Sequence, residues 1–140
     1  MDGVLADYNG KANYKDNPEK EATGFFAELE PIEGAVDAFK KLSEHYDCYI
    51  LTTAPWSSPI AASEKRIWVE NHLGDYGFKR LMTSHHKHLH IGDYLIDDRT
   101  VNGAGEFTGK HIHFGTEEFP DWNAVLIYFG RELLKENKLI

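Results

Sequence analysis

The chain has 140 residues, 41% of them hydrophobic and 27% charged, which is the length of one domain with enough apolar matter for an ordinary core. Its formal net charge of −8 excludes a nonspecific duplex binder, because such binding depends on many Lys and Arg contacts to phosphates. The one cysteine, Cys48, excludes an internal disulfide and a cysteine metal cluster, and no apolar run approaches the roughly 18 residues of a membrane span. Asp2 stands where the basic region of a signal peptide would begin, so a cytoplasmic location is expected.

The first seven residues, MDGVLAD, are followed by a polar stretch rich in Gly, Asn and Lys. Residues 8–24 read as a loop or reduced cap within a single domain spanning 1–140. Asp7 is expected to cap or orient that loop. A helix is predicted to begin near Pro31, a residue suited to a first turn, with an apolar stripe of Ala35, Val36, Phe39 and Leu42. Residues 47–53 form a short run of strand formers ending in hydroxyls, and Cys48 reads as a buried strand residue. A second helix follows over residues 60–73, with Gly74 as its C-terminal cap. A short strand is predicted over 79–83. Tyr94, Leu95 and Ile96 read as a buried strand that ends in Asp97 and Asp98. Residues 101–110 are turn-rich, and residues 111–114 alternate as a strand. Asp121 is placed as the cap of a last helix whose buried side carries Trp122, Val125, Leu126, Phe129 and Leu133. Strands alternating with helices predict an α/β fold with a mainly parallel sheet flanked by helices.

In such sheets chemistry gathers at the carboxyl ends of the strands. Three of those ends carry acids or hydroxyls: Asp2, Thr53, and the Asp97–Asp98 pair. Phosphoryl transfer from a monoester needs a nucleophile, an acid for the departing oxygen, a cation on the phosphoryl oxygens and donors that hold the phosphate in line. Asp2 is the candidate acid and base. Thr53 offers a hydroxyl and the next backbone N–H to a phosphoryl oxygen. Asp97 and Asp98 repel each other unless a cation or donors compensate, and oxygen-only ligation suits Mg²⁺. Lys87 and Lys65 are candidates for neutralising phosphate, although a lysine taken alone is ordinarily a surface side chain. His86, His88 and His90 alternate and would share one face of a strand, but no carboxylate or thiolate partner accompanies them. Gly103 and Gly105 lack the context of a dinucleotide fingerprint and read as turn residues.

Together, MDGVLAD, FFAELEPIEGAVDA, ILTTAP, EKRIWVENHLG and YLIDDR, in this order over nearly the whole chain, resemble the 5'(3')-deoxyribonucleotidase family of the haloacid dehalogenase superfamily. The resemblance implies a Rossmann-like core, Mg²⁺ dependence and an aspartyl-phosphate intermediate, with a small phosphorylated substrate, most naturally a nucleotide. It matches Asp2 to the acid/base whose backbone carbonyl also ligates Mg²⁺. It matches Thr53 and Lys87 to the phosphate-binding residues, and Asp98, with Asp97 beside it, to the acidic metal ligand. His85 falls where the family places a basic residue.

Two departures from the pattern carry expectations of their own. The family's nucleophilic aspartate would fall immediately before Met1, on a strand that is central in the sheet. Without that strand, neighbours normally about 4.8 Å apart would be separated by roughly twice that distance, with unpaired backbone on both sides. A start placed too late or a truncated chain is therefore expected. Read literally, the chain is a phosphate- or nucleotide-binding module without turnover. The second departure is the short stretch before FFAELEP, which leaves Tyr8, Tyr14, Phe25 and Phe26 as the only counterparts of an aromatic base clamp. Oligomeric state stays open.

Overall fold

The structure is a computed structural model and describes residues 1–8, 10 and 23–138. The cap expectation for residues 8–24, Tyr14 included, lies largely outside the described residues. The described elements are helix α1 (Ala35–Ser43), strand β1 (Ile50–Thr52), helix α2 (Ala61–Leu73), strands β2 (Leu81–Thr83), β3 (Tyr94–Asp97) and β4 (Lys110–His113), and helix α3 (Trp122–Lys138). Short 3-10 turns occupy Gly74–Gly77, Lys87–Leu89 and Ala104–Glu106.

Helix α1 buries Ala35, Ala38, Phe39 and Leu42; of the expected stripe, Val36 is only half-buried, and Ala38 takes the buried place instead. It starts later than Pro31 suggests. Pro31 instead forms an antiparallel bridge with Ala6, and Gly34 takes a left-handed φ of 77° just before the helix. A proline has no N–H to give, so it suits a bridge that needs none from it, while glycine supplies the turn at little steric cost. Helix α2 ends at Gly74, whose φ of 54° fits the predicted cap. Asp121 Oδ1 accepts the backbone N–H of Ala124 at 2.9 Å, the expected cap of α3. That helix buries Trp122, Val125 and Phe129. Asp7 also behaves as expected, accepting the N–H of Gly10 at 2.8 Å.

All strand pairing is parallel. β1 lies beside β2 with Ile50 opposite Leu81, and β3 lies beside β4 with Tyr94 opposite Lys110. Among the described residues the two pairs do not join into one sheet. A cleft of about 420 Å³ lies between them, lined by residues of both β1 and β3. Cys48 precedes β1 rather than lying in it, and it is half-buried on this cleft.

The amino-terminal turn is fastened to the core. The carbonyl of Met1 accepts N–H groups from Val4, Leu5 and Ala6 at 3.2, 2.7 and 3.1 Å. Met1, Val4, Leu5 and Ala6 are all buried. Trp122 donates its indole N–H to the carbonyl of Val4 at 2.7 Å, and Trp68 donates to Leu29 at 2.7 Å. Each buried indole thus satisfies its one donor while its ring fills the core.

Candidate active site

Helix α2 places the site's central cation. Its buried face runs through Ala61, Glu64, Lys65, Trp68, Val69 and Leu73, so two charged residues stand in an otherwise apolar stripe. Lys65 is fully buried and spends all three ammonium donors: on Asp2 Oδ2 at 2.5 Å, Thr52 Oγ1 at 2.8 Å and the carbonyl of Thr53 at 2.9 Å. Its nitrogen also sits 4.8 Å from the centre of the Phe26 ring. The amino-terminal turn is thereby tied to the end of β1.

The other half of the site comes from β3. Asp97 is buried and pairs with Lys87, itself buried on a 3-10 turn, and it also accepts the N–H of Arg99 at 3.0 Å. Both lysines are therefore interior, against the ordinary expectation for the residue type, because each has a carboxylate to neutralise it. Asp98 faces the amino-terminal turn. A Cβ placed on Gly3, which has φ of 76°, would lie 2.2 Å from Asp98 Oδ2. Only a glycine lets the turn and this carboxylate approach so closely.

The structure thus brings Asp2, Lys65 and Thr53 together on one side, and Lys87, Asp97 and Asp98 on the other, with the Met1–Gly3 turn between them. Its charges are unevenly compensated. Burial, then the neighbouring Asp97, pushes the Asp98 carboxyl up, against the pull of the amino terminus. Burial lowers the Met1 amino group to about 6, with Asp2 opposing and Lys65 adding to the fall. Asp2 Oδ1 is buried and takes no hydrogen bond from the described residues. Among those residues no three His, Cys, Asp or Glu side chains converge on a point. The crowded Asp98 carboxylate nevertheless fits Mg²⁺, which takes one or two carboxylates and keeps several waters.

Thr53 differs in detail from its expected use, since its hydroxyl donates to the carbonyl of Ser84 at 2.7 Å. That bond leaves the oxygen lone pairs and aligns the ends of β1 and β2. Thr52 is the hydroxyl that meets Lys65. The histidine run does not form a strand face, because Lys87–Leu89 is a 3-10 turn. His86 and His88 meet edge to face at 6.0 Å, and the exposed His85 lies edge-on to Trp56 at 6.2 Å. Phe25 and Phe26 pack in the core rather than standing ready for a base, with Tyr8 half-buried against both.

Three residues escaped the sequence reading. Glu64 is buried and accepts the N–H groups of Gly24 and Phe26, the latter at 3.2 Å. His111 and His113 stack at 5.0 Å, and their Nε2 atoms lie 3.1 Å from the carbonyls of Asp97 and Asp98 respectively. Carbonyls only accept, so both imidazoles donate there and hold the acid-bearing strand end. The signal for Glu64 was present: it stands three residues after the buried Ala61 and four before the buried Trp68 of α2.

The model of the family described as "5' nucleotidase, deoxy (Pyrimidine), cytosolic type C protein" matches residues 18–121. The chain belongs to the 5'(3')-deoxyribonucleotidase family. It therefore falls in the haloacid dehalogenase superfamily, and its parallel strands flanked by helices agree with that α/β fold. A relative from Vibrio phage KVP40, named "Putative 5'(3')-deoxyribonucleotidase", is 51% identical over 99% of this chain and 84% of its own length. The human cytosolic-type 5'(3')-deoxyribonucleotidase is 37% identical over 76% of this chain and 48% of its own length. The human mitochondrial 5'(3')-deoxyribonucleotidase is 29% identical over 90% of this chain and 67% of its own length. This family member thus spans most of the phage relative and about half of the human cytosolic one. No helix among the described residues is long and apolar enough to cross a membrane.

Proposed function

We propose that this site hydrolyses deoxyribonucleoside monophosphates with Mg²⁺, through an aspartyl-phosphate. The observation that carries the reading is Lys65 holding Asp2 at the end of β1 while Asp98 closes on Gly3 from β3. Family membership and the printed names of the relatives support the substrate class.

Lys65 fixes one oxygen of Asp2 and leaves Oδ1 unpartnered. That oxygen is placed to give a proton to the departing nucleoside oxygen as the phosphoryl group passes to the nucleophilic carboxylate. It then takes a proton from the water that attacks phosphorus and releases inorganic phosphate. Lys87 and the N–H groups after Thr53 lend positive potential to the phosphoryl oxygens. Asp98 and the backbone carbonyl of Asp2 would hold Mg²⁺, which when bound neutralises charge developing on the phosphoryl group.

A second reading, a phosphate-binding module without turnover, is favoured by the split between the two strand pairs, which have no carboxylate-bearing strand between them among the described residues. Phosphate release from a deoxyribonucleoside 5'-monophosphate separates the two, using the 140-residue protein with its intact mass verified. Release that requires Mg²⁺ and stops with EDTA supports the hydrolase acting in this chain alone. Nucleotide binding without release supports the module, and neither binding nor release sinks both.

A further inference from the structure

Strand β4 carries His111 and His113 two residues apart, so their side chains share one face of the strand while Ile112 enters the core on the other. Both histidines are half-buried. Their rings stack at 5.0 Å with 18° between the planes, and each Nε2 is spent on a carbonyl of the acid-bearing strand end. The two bonds are not equivalent. The carbonyl of Asp97 also accepts the backbone N–H of Phe114 at 3.0 Å, the last rung of the β3–β4 ladder. Asp98 lies one residue past the end of β3. Among the described residues no backbone N–H reaches its carbonyl, and the bond from His113 at 3.1 Å is the one it receives. The other end of the same peptide unit is held as well. The N–H of Arg99 goes to Asp97 Oδ1 at 3.0 Å, and Lys87 takes the second oxygen of that carboxylate.

We propose that His113 is a positioning residue: its imidazole supplies the rung that the ladder lacks at Asp98, and so fixes where the Asp98 carboxylate stands for a divalent cation. The proposal deepens the Mg²⁺ reading above and rests on it for the identity of the ion. A carboxylate is only as well placed as the backbone that carries it. With the peptide unit after Asp98 held at its carbonyl by His113 and at its N–H by Asp97, that backbone has little room to swing. A ligand ordered beforehand loses less freedom when the ion arrives, which favours binding. Partners of this kind, one bond behind a metal ligand, are worth about 10–100-fold in metal affinity. His111 has a different part. It stacks on His113 and limits how that ring can turn, but the carbonyl it bonds keeps the N–H of Phe114 without it.

The test uses the full chain and the variants His113→Ala, His113→Gln and His111→Ala, each shown to be folded by its urea melt. Glutamine carries an amide N–H donor in place of Nε2–H and can restore the bond. Without metal, amide exchange is read at Arg99, which shares a peptide unit with the Asp98 carbonyl. Exchange there should speed up about ten-fold in His113→Ala relative to the α3 amides, and slow again in His113→Gln. With Mg²⁺ alone titrated by calorimetry, affinity should fall about ten-fold in His113→Ala, recover in His113→Gln and change little in His111→Ala. Unchanged Arg99 exchange in His113→Ala overturns the proposal, whether or not the chain binds Mg²⁺. So does faster Arg99 exchange with Mg²⁺ affinity equal to the parent's. An equal loss in His111→Ala, or no recovery in His113→Gln, would mean general loosening of β4 and also overturns it. If the parent takes up no Mg²⁺, the hydrolase reading fails, and Arg99 exchange alone decides whether His113 positions Asp98.

Discussion

Lys65 Nζ lies 2.5 Å from Asp2 Oδ2 across 63 residues of sequence, with no exposure of the lysine to solvent. The contact joins the buried face of α2 to the amino-terminal turn. A buried charge with one strong partner is sensitive to loss of that partner, because desolvation of the remaining charge is then uncompensated. Replacing Lys65 with Met should lower unfolding stability by about 3–5 kcal/mol, read from urea melts. The double variant Lys65→Met, Asp2→Asn should recover part of that loss. A double variant as unstable as the sum of the singles would show that the two side chains do not act as a pair.

Gly3 is the second point where the two halves of the site meet. Gly3→Ala must adopt φ of 76° and meet Asp98 Oδ2 at 2.2 Å unless something shifts. Left-handed backbone costs an alanine about 1 kcal/mol, and the clash adds to that, so a loss of about 2–3 kcal/mol is expected. Adding Asp98→Ala should return the clash part and leave the backbone part. Equal stability of Gly3→Ala with and without Asp98 would separate the two residues.

Glu64 holds two backbone donors, the N–H groups of Gly24 and Phe26. Glu64→Ala would leave both without that acceptor, and a loss of about 1–3 kcal/mol is expected. Hydrogen exchange should speed up at the amides of Gly24 and Phe26 more than at the α3 amides. Uniform acceleration would point to global destabilisation in place of local release.

Burial pushes the Cys48 thiol up, with a hydrogen bond from Ser43 and the charge of Arg80 pulling the other way. Its folded value thus lies above that of the unfolded chain. The contribution of this group to stability is intact below the unfolded value, and it falls as pH rises past that point toward the folded one. Alkylation of Cys48 should be slower than that of an exposed thiol at pH 8, and its rate should still be rising above about pH 8.5, where a model thiol is half ionised. A profile matching a free peptide thiol would contradict the burial.

Much of this architecture was legible as pattern. The α1 stripe at Ala35, Phe39 and Leu42 and the Asp121 cap are local, and local physics decided them. The start of α1 was not, because Pro31 suits a helix start and a bridge equally, and its bridge partner Ala6 is remote in sequence. The acids at 97 and 98 were visible at a strand end, but their division of labour was not. Lys87 takes Asp97 and leaves Asp98 to the turn, and that choice depends on the 3-10 turn at Lys87–Leu89. The same turn removes the alternation that His86, His88 and His90 suggest. The two lysines looked like surface residues one at a time. Lys65 was recoverable from its place in the buried stripe of α2, between Ala61 and Trp68. The split between the strand pairs depends on which edges find partners, which no single strand's composition reveals.

Titration of Mg²⁺ into the protein in the presence of a deoxyribonucleoside 5'-monophosphate, compared with the Asp98→Asn variant, tests the proposed site most directly. The account predicts binding by the unmodified chain and a drop in Mg²⁺ affinity of about ten-fold or more in the variant. Identical titrations of the two proteins, with the variant folded, would contradict it.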